Sequence, residues 1–214
     1  MQKTKLKTIR IVLMALLTAL AYIMVFFFRI PIVLFLSYEP KDMIILLAAM
    51  LLGPIEGIVI AIVVSFLEMI TISDTGIWGL LMNILSTVAF ITPTALIYRK
   101  YKGLFPRIIG LIGGVLFMTI VMLLWNYFIS PLYMGVPRTD IVPLLWSAFL
   151  PFNLLKASIN ASVSVLFFEP IEAALKRANL VPTQSEMTCQ SKIILISISI
   201  LLLVSSILFV IFFF

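Results

Sequence analysis

"LPFNLLKASINASV", residues 150 to 163, is an apolar run interrupted by two asparagines and a lysine. In water Asn153, Lys156 and Asn160 would be ordinary surface residues; in hydrocarbon each must find a partner or escape. The rest of the chain decides which solvent applies. Of its 214 residues 63% are hydrophobic and 11% charged, against about 45–50% apolar and about 25% charged in a soluble domain. A soluble domain of this size could not hide so much apolar surface. The sequence therefore predicts an integral membrane protein, whose backbone polar groups must be satisfied within helices.

A spanning helix needs about 20 mostly apolar residues. Such runs lie at about 11–28, 55–72, 80–97, 108–129, 144–175 and 193–214. Another, 43–52, is half that length and ends at the Gly53-Pro54 turn. Before it, residues 30 to 42 read as irregular, with two prolines and "SYEPKD". Either the short helix begins inside this loop or the loop dips into the outer leaflet as a lid; the lid is favoured. A longer connection, "SPLYMGVPRTDIVP", covers 130–143. The organisation expected is a basic N-terminus (1–10), a six-helix membrane domain (11–178), a polar linker (179–192) and an additional C-terminal apolar helix (193–214). The fold class is all-α.

Lysine and arginine set the orientation. Lys3, Lys5, Lys7, Arg10, Arg99, Lys100, Lys102, Arg107, Lys176, Arg177 and Lys192 fall on one side, and only Arg29, Lys41 and Arg138 on the other. That asymmetry places the N-terminus in the cytoplasm of a multi-pass cell-membrane protein. The net charge of +6 then reflects topology and anionic lipid, with no call for nucleic acid. No small-residue cleavage site follows the first apolar run, which reads as a retained helix.

Several chemistries are excluded. The chain has no histidine and one cysteine, Cys189, so it carries no HExxH, no Ser-His-Asp triad, no internal disulfide and no thiolate metal cluster. No GxxxxGK[ST] loop is present, so the chain by itself cannot use ATP. The polar cluster described next lacks a nucleophile–base pair, which argues against a membrane enzyme.

At about 100° per residue, Asn153, Lys156, Asn160 and Ser164 share an arc of about 80°. A charged lysine at mid-helix costs roughly 2.5–3.5 kcal/mol. Lys156 could snorkel to the outer boundary, but the two amides on its face cannot. Glu68, Thr71, Asn83, Ser86, Asn126 and Tyr127 lie at similar depth. Singly, each reads as an interhelical hydrogen bond, and Thr71 and Ser86 are left so; Glu68 could pair with Lys41 or Lys156. Together they suit a flat, mostly neutral, hydrogen-bonding heterocycle. Trp78, Trp125 and Trp146 all fall towards the outer side, as an interfacial belt or as stacking partners. Ala15 and Ala19 form a small-xxx-small pair, for internal packing or for a partner helix.

"EPKD", "GPIEGIVIAIVVSFLEMIT", "GIWGLLMNILS", "WNYFISPLYMGVPR" and "LPFNLLKASIN" occur in this order. Over roughly residues 8 to 178 the chain resembles the riboflavin-specific substrate-binding subunits of energy-coupling-factor (ECF) vitamin transporters. The resemblance implies six helices, a vitamin site in the outer half and a first outer loop that closes over it. It implies docking through Ala15 and Ala19 on a shared transmembrane coupling subunit driven by two ATPase subunits. It also implies that Asn126, Asn153 and Lys156 bond the flavin and its ribityl chain, and that Trp78 lies near the ring. Asn160 and Asn83 are expected to line or buttress the pocket. Ser37, Tyr38, Glu39, Pro40, Lys41 and Asp42 are expected to form the gate, with Glu39 and Lys41 locking the loop. Riboflavin is then cargo, and no cofactor or metal is expected. The run at 193–214 departs from the six-helix pattern; its lack of a polar face suggests lipid contact. Two other readings stand beside this one: the same fold binding FMN, a flavin analogue or another vitamin, and a non-transporting scaffold for flavin electron transfer.

Overall fold

Half a bilayer is all that the short apolar run can cross, and the fold is built around it. In the computed structural model, which describes residues 2–73, 75–178, 180 and 187–213 and the side chains from Lys7 to Phe212, this run is helix α2, Lys41–Leu51. Its 11 residues are all buried, although the helix is only about 16 Å long. Around it stand α1 (Gln2–Phe28), α3 (Pro54–Thr71), α4 (Gly76–Lys100) and α7 (Leu150–Arg177). Helix α5 (Leu104–Met134) packs on α4 and α7. At Gly57 a Cβ atom would come within 2.6 Å of the Ala49 Cβ, so glycine there lets α3 approach α2.

Among the described residues six segments are long and apolar enough to span a membrane: 7–28, 54–71, 76–100, 104–134, 138–177 and 189–212. The molecule is an all-α membrane bundle of six helices, counting short α2, plus a further C-terminal helix, α8 (Cys189–Phe213). The α8 helix begins four residues before the apolar run, taking in part of the expected linker; residues 179 and 181–186 of that linker lie outside the described residues. Likewise the basic N-terminus is the first part of α1, and the side chains of Lys3 and Lys5 lie outside the description.

Three segments differ from the sequence reading. Residues 30–38, expected to be irregular, form an antiparallel hairpin of β1 (Ile30–Val33) and β2 (Leu36–Tyr38). Ile30 faces Tyr38, Pro31 faces Ser37 and Val33 faces Leu36, with an irregularity between Pro31 and Val33. A two-stranded ribbon is all edge, so Pro31 needs no ladder partner. Leu34 turns the hairpin at φ 53°. The α2 helix also starts inside "SYEPKD", as the less favoured of the two readings of this loop expects. Secondly, α5 continues through Pro131 to Met134 and ends at Gly135, whose φ of 68° terminates the helix. Thirdly, the helix resumes at α6 (Arg138–Leu144), and the expected connection shrinks to residues 135–137. Between α6 and α7 one wide π turn, Leu145–Phe149, carries a Leu150 N–H to Leu145 carbonyl bond. Pro151 explains it: a proline ring crowds the carbonyl four residues back and offers no N–H.

The α8 helix lies on α7 and, less extensively, α5. It buries Leu195, Ser199 and Ser206, and Lys192 Nζ lies 2.5 Å from Glu169 Oε2. Most of its remaining apolar side chains are exposed, as expected of lipid contact.

Candidate ligand-binding site

At the end of the bundle where β1–β2 folds inward, six charged side chains converge. Glu39, just after β2, is 4% exposed. Its carboxylate accepts from Lys156 Nζ at 2.8 Å and lies 3.1 Å from Lys41 Nζ and 3.9 Å from Arg29 Nε. Lys41 also pairs with Glu68 of α3. Lys156 reaches Asp42 at 3.4 Å. Thr87 Oγ1 donates to Asp42 at 2.6 Å, Asn83 Nδ2 donates to Glu68 at 3.0 Å, and Arg29 Nη1 donates to the Ile72 carbonyl at 2.9 Å. Three acids thus face three bases. Buried charges persist when paired and hydrogen-bonded in this way.

Burial alone would raise the Glu39 carboxyl, but Lys156 and Lys41 outweigh it and hold the group well below the usual carboxylate range. Tyr38 is pushed up to about 12 by burial and by Asp42, against Lys156, and so remains a phenol donor. Its hydroxyl donates to Asn160 Oδ1 at 3.3 Å, and Asn160 Nδ2 donates to the Glu39 carbonyl at 3.4 Å. Through these contacts α7 holds residues 38–42 by both side chain and backbone.

Beneath the hairpin lies a cavity. Phe35, Leu36, Met82, Met122 and Phe152 supply apolar walls; Arg29, Ser37, Glu39, Ser73, Thr75, Asn83, Ser86, Asn153 and Lys156 supply polar ones. Its volume is about 20 Å³, room for about one water molecule. A heterocycle can enter only if the hairpin lifts or the walls part. Once inside, it would meet apolar faces and a few directed hydrogen-bonding groups, the usual make-up of a small-molecule site.

Asn153, Lys156, Asn83, Ser37 and Glu39 all reach this cavity. One N–H of Asn153 Nδ2 is bonded to the Phe149 carbonyl at 2.7 Å, which leaves its amide oxygen and second N–H for a ligand. Tyr38, Lys41 and Asp42 stand behind the wall in the charge network, and Pro40 precedes the first turn of α2. Asn160 is fully buried and fastens the loop. Asn126 is also buried but lies outside the walls: its Nδ2 donates to the Met122 carbonyl and its Oδ1 accepts from Ser130, both at 2.8 Å. One turn away, Met122 takes the wall position. Trp78, 36% exposed, is not among the lining residues; Ser73 and Thr75 of the preceding turn line that side. Ser86 lines the cavity too, while Thr71 accepts from Tyr22 Oη at 3.0 Å. Lys156 does not snorkel, because acids from the loop and α2 surround it. Ala15 and Ala19 are exposed on α1 and do not line this cavity. Phe35, Met122 and Phe152 carry no signal in the sequence that separates them from ordinary apolar residues, and Arg29 stands out there only as an outer-side cation.

The profile of the family described as "ECF transporter, substrate-specific component" matches residues 9–168. The chain belongs to this family. The S component is similar to the "Riboflavin transporter RibU" of Staphylococcus aureus (strain TCH60), 29% identical over 176 residues, covering 78% of this chain and 93% of that protein. It is also similar to the "Riboflavin transporter FmnP" of Bacillus subtilis (strain 168), 25% identical over 174 residues, with 76% and 92% covered. A solved structure described as "Structure and mechanism of the S component of a bacterial ECF transporter" superposes with a TM-score of 0.69 at 28% identity, covering 80% of this chain and 99% of that one. As an S component the chain is a transporter subunit rather than an enzyme. The α8 helix lies wholly outside the family match.

Proposed function

We propose that this S component captures riboflavin in the cavity beneath the hairpin and delivers it inward with an ECF coupling subunit and two ATPases. The observation that carries the reading is the cavity itself, apolar on its faces and edged by amide, hydroxyl and ammonium groups. A flavin ring is flat and largely apolar in face, with carbonyls and an imide N–H along one edge and a hydroxylated ribityl chain. Phe35, Met82, Met122 and Phe152 suit the faces; Asn153, Asn83 and Ser86 suit the polar edges. An ammonium has three N–H donors. Two of those on Lys156 meet Glu39 and Asp42, leaving one for a flavin or ribityl oxygen. Two relatives described as riboflavin transporters support the choice of vitamin.

Residues 37–42 act as the gate, with Glu39 as its lock. The distribution of lysine and arginine supports a cytoplasmic N-terminus, which puts the gate at the outer face. The exposed Ala15 and Ala19 offer a small-residue face for the coupling subunit. The domain division at about residue 178 separates the binding bundle from α8.

Uptake of labelled riboflavin by cells that depend on this chain tests the transport step. Import is expected with the energising subunits present and is expected to vanish when the ATPases are inactivated. Riboflavin-dependent function that survives inactivation of the ATPases would overturn the importer reading.

A further inference from the structure

The end of the bundle remote from the vitamin cavity carries a second cleft, whose lining shares no residue with that cavity and includes neither Ala15 nor Ala19. It lies between α1, α3 and α4 and encloses about 870 Å³. Its rim is basic and structurally fixed. Arg10 and Arg99 both donate to the Leu52 carbonyl at the end of α2, the latter at 3.3 Å. The Lys100 ammonium sits 5.3 Å from the centroid of the Tyr101 ring. Glu56 is the one acid lining the cleft, and it is paired with Arg10 at 2.7 Å. Three cations against one acid leave an excess of two positive charges, carried by Arg99 and Lys100. A guanidinium has five N–H donors, so Arg99 retains donors beyond its bond to Leu52.

The outer side of the same cleft is apolar. Ile55 is 72% exposed and Leu96 53% exposed, each on a membrane-spanning helix next to the rim. We propose that this cleft binds an anionic phospholipid, with its phosphate between Arg99 and Lys100 and an acyl chain along Ile55 and Leu96. The pairing of a cationic rim with an apolar wall identifies the occupant. Free phosphate would use the rim alone, whereas a phosphodiester headgroup with attached chains uses both. Basic pockets between helices on the side richest in Lys and Arg recognise such headgroups. Lipid bound here bridges α3 and α4 at the turn that ends α2. The site does not depend on the identity of the vitamin.

The test uses the full chain purified free of bound lipid, with phosphatidylglycerol or phosphatidylcholine added. Thermal unfolding and native mass spectrometry are the readouts. Phosphatidylglycerol is expected to raise Tm more than phosphatidylcholine and to leave one retained lipid per chain. Lys100→Gln touches no backbone contact and is expected to remove more than half of the difference. Arg99→Gln with Lys100→Gln is expected to abolish it, Arg99→Lys to restore part of it, and Arg177→Gln elsewhere on the basic side to leave it intact. Riboflavin binding is expected to persist throughout, which separates loss of lipid from loss of fold. An equal effect of the two lipids, a shift retained in the double variant, or one lost equally in Arg177→Gln would overturn the proposal. Inorganic phosphate reproducing the whole shift, or saturable displacement of the lipid by an acidic helical peptide, would assign the cleft to a different occupant.

Discussion

The Lys156 ammonium lies 2.8 Å from the Glu39 carboxylate across a separation of 117 residues. One end of that contact belongs to α7 and the other to the segment that covers the cavity, so closure and the polar stripe of α7 are one feature. Glu39 also meets Lys41, which ties the same carboxylate to α3 through Glu68.

Glu39→Gln removes the shared negative charge and leaves Lys156 and Lys41 undercompensated. Breaking a buried ion pair from one side costs about 3 kcal/mol or more, here shared between the closed loop and the fold. The expected result is a lowered Tm and a riboflavin dissociation rate at least about tenfold higher, equivalent to about 1.4 kcal/mol. Stopped-flow release from the purified protein measures the second directly.

The same carboxylate sets the pH response. Its folded-state pKa is lowered, so its contribution to stability is present in full above its unfolded value and is lost only as pH falls through the folded one. The part of riboflavin release that Glu39 controls is therefore expected to accelerate only in acid, below about pH 4. A rise between pH 7 and pH 5, tracked by fluorescence recovery, would point to a different controlling group.

Asn153 and Asn126 look alike in the sequence and part company in space. Asn153→Leu is expected to weaken riboflavin binding about tenfold or more with a smaller fall in Tm than Asn126→Leu, because it loses a cavity-facing amide but only one buried hydrogen bond. Asn126→Leu is expected to cost stability, about 1–3 kcal/mol, by removing two buried hydrogen bonds, one to the Met122 carbonyl and one from Ser130. Its effect on affinity should be smaller. Paired titration and thermal unfolding of the two variants separate the roles.

Truncation after Ala178 removes α8 together with the Lys192–Glu169 contact. Among the described residues no α8 side chain lines the cavity beneath the hairpin, so riboflavin affinity is expected to stay within about twofold while Tm falls. Loss of binding by a folded truncated chain would show that α8 positions the site through α7.

The spanning helices were readable because lipid imposes length and apolarity on each segment by itself. Helix α2 was readable as too short for the same reason. The β1–β2 hairpin was not: Pro31 disguises a strand, and its pairing with residues 36–38 depends on packing over the cavity. The course of α5 past Pro131 was likewise hidden, because proline breaks a helix in water more consistently than in a membrane bundle. For the candidate site, periodicity put Asn153, Lys156 and Asn160 on one face of α7. It could not show that Asn160 turns to Tyr38 and the Glu39 carbonyl, that Asn126 satisfies itself along α5, or that Thr87 joins Asp42. Those assignments depend on which helices are neighbours. Aromatic chemistry alone points to Trp78, which is half-exposed and not among the residues that line the cavity. Trp78→Phe is accordingly expected to leave affinity nearly unchanged.

A riboflavin titration of the purified, ligand-stripped protein, followed by quenching of flavin and tryptophan fluorescence, tests the central claim most directly. Tight, saturable binding of one flavin per chain, weakened by Asn153→Leu, is the expected result. Folded, monodisperse protein that fails to bind riboflavin, or binds it equally well after Asn153→Leu, would contradict the account.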